Sequence, residues 1–110
     1  MVENFLLGSF YYKQTINGNI IGEFSNNNTD NIYTESCDLI NRTTADKFVG
    51  IYLSSWVEND ETHKSKLVIS FKYKKNKRIY KLVWIEDGKE KFDGEGILCA
   101  EHLIGFYKLC

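Results

Sequence analysis

The sequence predicts an all-β protein, an eight-stranded antiparallel up-and-down (meander) β-barrel. Three observations predict it. The 110-residue chain has no proline and no long stretch with helical periodicity. Short alternating apolar runs recur between turn residues, the pattern of an antiparallel sandwich or barrel. Glycine also stands two residues before an aromatic ring at Gly8 and Phe10, Gly22 and Phe24, Gly50 and Tyr52, and Gly105 and Tyr107. Glycine weakens a flat strand, so its recurrence points to bends in a closed wall, with rings covering the backbone it leaves bare.

The eight strands are expected near 4–15, 19–26, 31–38, 47–58, 65–74, 77–86, 89–99 and 102–109. The turns between them are rich in Asn, Asp and Gly: 16–18, 25–31, 59–64, 74–77 and 86–88. The polar segment 41–46 suits a short helical turn or a crossover loop. The whole chain, 1–110, is read as a single barrel domain, since its length suits one hydrophobic core and not two.

Strand registers follow from keeping one face apolar, because a one-residue slip turns every side chain to the other face. For the hairpin around Gly88, a three-residue loop 86–88 pairs Leu82 with Phe92, Tyr80 with Gly94 and Lys81 with Asp93. For the first hairpin, a loop 16–18 pairs Phe10 with Phe24 and Tyr12 with Gly22; a two-residue Asn17-Gly18 turn is the alternative. Trp56, Ser54, Tyr52 and Gly50 are set opposite Leu67, Ile69, Phe71 and Tyr73, which makes Tyr73 the cover of Gly50. Leu67, Ile69 and Phe71 face Trp84, Leu82 and Tyr80, and Leu98, Gly96 and Gly94 face Leu103, Gly105 and Tyr107.

These registers send Phe10, Tyr12, Phe24, Tyr52, Trp56, Tyr80, Trp84, Phe92 and Tyr107 inward, with Ile20, Leu67, Ile69, Phe71, Leu82, Leu98 and Leu103. The outer face keeps an apolar share: Val49, Ile51, Leu53 and Val57 on one strand, Ile104 and Phe106 on another. Apolar patches of that kind ask for a cover. A second subunit, making a homodimer, is the first candidate, and the 41–46 segment laid against the wall is the other.

Composition excludes several functions. The net charge is −1, from 14 basic and 15 acidic residues, so no nucleic-acid partner is expected. The single basic run, Lys72–Arg78, reads as a solvated hairpin tip. No stretch approaches the ~20 apolar residues of a membrane helix, and the N-terminus lacks the pattern of a signal peptide. No membrane partner and a cytoplasmic location are therefore expected, and the sequons at Asn27 and Asn41 are discounted. Cys37, Cys99 and Cys110 lack metal-ligand spacing and are expected as reduced, mostly buried thiols; Cys110 is also a candidate for an intermolecular disulfide.

No catalytic constellation is visible, and neither a cofactor nor a metal is expected. His63 reads as an exposed turn residue, and His102 lies on the opposite face of its strand from Glu101. Nucleotide-loop and nucleophile-elbow motifs are missing. The best binding candidates are inward residues with polar tips: Tyr12, Tyr52, Ser54, Trp56, Tyr80, Trp84 and Tyr107. Buried Tyr and Trp need a partner for the tip while the ring packs. If the barrel is hollow, they bind a small apolar or aromatic ligand; if it is filled, the outer wall carries a protein-interaction or self-association role.

The hairpin made by Gly8-Ser9-Phe10 and Gly22-Glu23-Phe24 resembles the first hairpin of avidin-type barrels. Lipocalins share a related glycine-x-tryptophan on their first strand, and the two families form the calycin group. The resemblance covers about the first quarter of the chain and implies a calycin-like barrel architecture. It does not extend to biotin. Tyr12 stands where that family has a ligand-binding Asn, and Phe24 stands where it has a Tyr that meets the ureido oxygen.

Overall fold

A computed structural model describes residues 6–110. Eight antiparallel strands close into a barrel in sequential order: β1 (Leu7–Gln14), β2 (Ile20–Asn26), β3 (Tyr33–Asn41), β4 (Gly50–Glu58), β5 (Glu61–Phe71), β6 (Ile79–Glu86), β7 (Lys89–Cys99) and β8 (His102–Leu109). β8 pairs with β1, so no strand edge is left open. The meander agrees with the sequence reading. Residues 4 and 5 of the first expected strand lie outside the described residues. Among the described residues, no helix is long and apolar enough to cross a membrane.

Three of the expected registers hold. Phe10 pairs with Phe24 and Tyr12 with Gly22; Leu67, Ile69 and Phe71 pair with Trp84, Leu82 and Tyr80; Leu98, Gly96 and Gly94 pair with Leu103, Gly105 and Tyr107. Two differ, for the same reason: the turns are tighter than expected. Asn59 (φ 53°) and Asp60 (φ 64°) form a two-residue turn of the I′ kind. β5 therefore starts at Glu61, and Tyr52 meets Leu67, Ser54 meets Ser65 and Trp56 meets His63. Gly50 faces Ile69, and Tyr73 is exposed and does not cover it.

Asp87 (φ 52°) and Gly88 (φ 78°) make the second such turn. A shift between Trp84 and Ile85 then restores the apolar facing, pairing Trp84 with Phe92, Leu82 with Gly94 and Tyr80 with Gly96. The bulge does what the three-residue loop was expected to do. Lys81 consequently faces Glu95, and Asp93 instead pairs with Lys108 in an ion pair.

Two glycines work as openings across which a tyrosine reaches. Tyr12, Gly22 and Glu35 lie in one row on β1, β2 and β3. A Cβ on Gly22 would stand 2.7 Å from the Tyr12 ring, so only a glycine lets the ring pass to the Glu35 carboxylate. Tyr107, Gly8 and Asn26 repeat the device on β8, β1 and β2. The Tyr107 ring lies across Gly8, and its hydroxyl accepts from Asn26 Nδ2 at 3.0 Å.

The core is the expected inward set, joined by Cys37 and Phe48; Phe71, Phe92 and Leu98 are only partly buried. Segment 42–49 covers neither outer wall. It folds over the barrel end where β3 passes to β4. Arg42 donates to the carbonyls of Gly18, Lys47 and Val49 and to the Tyr52 hydroxyl. Asp46 accepts from the backbone N–H of Phe48 and Val49 and from the Tyr80 hydroxyl. Phe48 is buried beneath them and closes that end. The thiols depart from expectation: Cys37 is buried, but Cys99 and Cys110 are exposed, and all three are free.

Candidate functional site

The described residues leave the other end of the barrel open. A cavity of about 70 Å³ enters there between Phe10, Phe24, Trp56, Trp84, Phe92 and Tyr107, with Leu6 and Asn26 beside them and Glu58 among the lining residues. Drug-sized ligands occupy roughly 300–1,000 Å³. The barrel is thus mostly filled, and its open end admits a small group.

Glu35 also lines this cavity, and it is 4% exposed. Burying a carboxylate is costly unless its oxygens are satisfied. Four donors converge on it. Tyr12 donates to Oε1 at 2.6 Å. The Trp84 indole N–H (2.9 Å), the Ser54 hydroxyl and, more distantly, Cys37 Sγ (3.7 Å) all donate to Oε2. An indole N–H can only donate, and an ionised carboxylate can only accept, so the set suits a carboxylate. Among the described residues, no Lys, Arg or His forms an ion pair with it.

The neighbours carry the electrostatic consequence. Burial pushes the Tyr12 phenol well above its ordinary range, and the nearby Glu35 charge adds to that. Burial raises the Cys37 thiol in the same way, again with Glu35 contributing. Tyr107 is pushed up to about 12, chiefly by burial.

Of the seven residues expected to bind, Trp56, Trp84 and Tyr107 meet in the cavity wall. Tyr12 and Ser54 hold Glu35 from within the core. Tyr52 and Tyr80 stand at the closed end, bonded to Arg42 and Asp46, and do not line the cavity. His63 is not in a turn; it lies on β5 with its ring stacked on Trp56, 5.4 Å between centroids. His102 lies beside Tyr11, ring centroids 6.2 Å apart. Among the described residues, no group of three or more His, Cys, Asp or Glu is placed to hold a metal ion.

Glu35 itself escaped the sequence reading. The alternation of β3 carried the signal: Tyr33, Glu35, Cys37 and Leu39 share one face, and the opposite face offers only Thr34, Ser36, Asp38 and Ile40. A row of inward Tyr, Trp and Ser tips also demands an acceptor.

No protein-family model matches the chain, and neither a curated protein nor a solved structure matches it.

Proposed function

We propose that this protein is a non-enzymatic small barrel that binds a small apolar or aromatic ligand through its open end. The supporting observation is the cavity walled by Trp56, Trp84, Phe24 and Tyr107. Concave, aromatic-lined sites with a few polar groups are the usual form of a ligand pocket. Its size means that a compact group enters while the rest of the ligand stays at the mouth. The sequential closed barrel and the first hairpin's resemblance support a calycin-like relationship. Both tryptophans of the chain stand in the cavity wall, so occupancy changes their fluorescence directly. A ligand that binds the folded state alone also raises the melting temperature. A screen of apolar and aromatic compounds, haem included, is expected to yield compounds that move both readouts. A screen that moves neither removes the reading.

A second reading rests on the outer wall. Tyr11, Ile97 and Ile104 lie side by side on β1, β7 and β8, with Phe106 next along β8, and all four are exposed. Such a patch supports self-association as a homodimer. Light scattering on a size-exclusion column tests it: a strict monomer at high concentration sinks the dimer.

A further inference from the structure

From the chemistry of the open-end cavity we infer that its ligand carries a positive charge, as an alkylated ammonium group. The inference rests on the proposed pocket being a binding site and names the chemical class it takes. Three observations carry it. Among the described residues, the cavity lining holds two acids, Glu35 and Glu58, and no Lys, Arg or His. Glu35 is nine-tenths buried and has no ion-pair partner among the described residues. A buried charge is ordinarily paired, and a cationic ligand completes the pair. Apart from Leu6 and Asn26 the remaining wall is aromatic, and the faces of Trp, Tyr and Phe attract cations, most strongly where water is excluded.

Hydrogen-bonding capacity decides which cation. Oε2 of Glu35 already faces three donors and Oε1 one, so little acceptor capacity remains for a primary ammonium with three N–H groups. An alkylated nitrogen needs few acceptors or none. It takes its stabilisation from the ring faces and from the two carboxylates at close range. Glu58 Oε1 accepts weakly from the Trp56 indole at 3.4 Å, which keeps the second charge beside the strongest cation-binding ring.

The test compares choline with its neutral isostere, the alcohol in which tert-butyl replaces trimethylammonium. Shape and hydroxyl are shared; only the charge differs. Titration calorimetry and tryptophan fluorescence on the full chain are expected to show choline binding at least about tenfold more tightly. Glu35→Gln and Glu58→Gln should each weaken choline several-fold and leave the alcohol nearly unchanged. Glu58 is partly exposed, so its variant keeps the test open even if the Glu35 variant fails to fold. Equal or tighter binding of the alcohol overturns the inference, as does choline affinity that neither substitution alters. Neutral aromatics that bind when choline does not overturn the charge and leave the pocket reading standing. If choline, the alcohol and the neutral aromatics all fail to bind, both fall.

Discussion

The indole of Trp84 donates to Oε2 of Glu35 at 2.9 Å and so ties β6 to β3 through the barrel interior. Glu35 is the hub of that interior, and the cost of its substitution depends on what replaces it. In Glu35→Ala, Tyr12, Ser54 and Trp84 all lose their acceptor. Each stranded donor costs about 1–3 kcal/mol, so a loss of about 3 kcal/mol or more is expected. In Glu35→Gln, the amide oxygen still serves Trp84 and Ser54. The new NH₂ meets the Tyr12 hydroxyl, which can turn from donor to acceptor. That variant should stay within about 1 kcal/mol of the parent. Urea unfolding of the two variants checks the contrast; an alanine variant as stable as the parent refutes the hub.

Two buried serines face each other on β4 and β5 and should behave differently. Ser54 donates to Glu35, whereas Ser65 Oγ is buried with no hydrogen-bond partner among the described residues. Ser54→Ala takes a donor from a buried carboxylate and should cost about 1–3 kcal/mol. Ser65→Ala removes a hydroxyl that was desolvated without return, so it should be neutral or stabilising. The chemical change is identical at the two sites, so the difference between their unfolding midpoints isolates the Glu35 contact.

The closed end should be separable from the open one. Asp46 holds the 42–49 segment through two backbone N–H groups (2.8 and 2.9 Å) and the Tyr80 hydroxyl (2.8 Å). Asp46→Ala is expected to lose about 2–4 kcal/mol, since hydrogen bonds to a charged acceptor are individually strong. None of the residues it touches lines the open-end cavity. Fluorescence titration of any compound that binds the parent should therefore give an unchanged affinity, measured where the variant is still folded. A large loss of affinity would mean that the two ends are coupled.

The meander was legible because alternation and turn composition speak on the scale of single strands. Three registers were legible because their rows set rings and leucines against one another, and a slip would have faced them outward. The β4–β5 register was not, because Asn59 and Asp60 both adopt positive φ without a glycine to announce it. At the β6–β7 hairpin the turn was shorter than expected, and a bulge one pair further on compensated. The tyrosines and tryptophans of the site were visible as inward polar tips. Glu35 was not, because hydrophobic patterning assigns an acid to solvent. The glycine-and-ring spacing concerned more than bends: Gly22 is where Tyr12 crosses to reach Glu35.

That crossing makes the glycines unequal. A Cβ on Gly22 would lie 1.8 Å from the Tyr11 carbonyl oxygen, a backbone atom that cannot turn aside. Gly22→Ala must part β1 from β2 and displace the Tyr12 ring, and a loss of about 3 kcal/mol or more is expected. Among the described residues, Gly88 has nothing within 4 Å of the same position, but its φ is +78°. Gly88→Ala should cost about 1 kcal/mol from backbone strain alone. Thermal melts of the pair distinguish a steric requirement from a conformational one; comparable losses would remove the steric role assigned to Gly22.

Alkaline pH should unfold the barrel through its buried phenols. Tyr12, Tyr52, Tyr80 and Tyr107 are all raised above the ordinary value of 10.0, with burial the largest cause in each. The folded state therefore holds these protons where the unfolded chain has released them. Stability is intact below about pH 10 and falls as pH rises towards the folded values, about 12 for Tyr107. Each retained proton steepens the fall by about 1.4 kcal/mol per pH unit. Tyrosinate absorbance and circular dichroism should change together in a single steep transition above pH 10. Tyr107→Phe removes one of those protons and should make the decline shallower, although it also loses the bond to Asn26. Gradual ionisation of all seven tyrosines near pH 10, with the barrel still folded, would contradict the burial of these four.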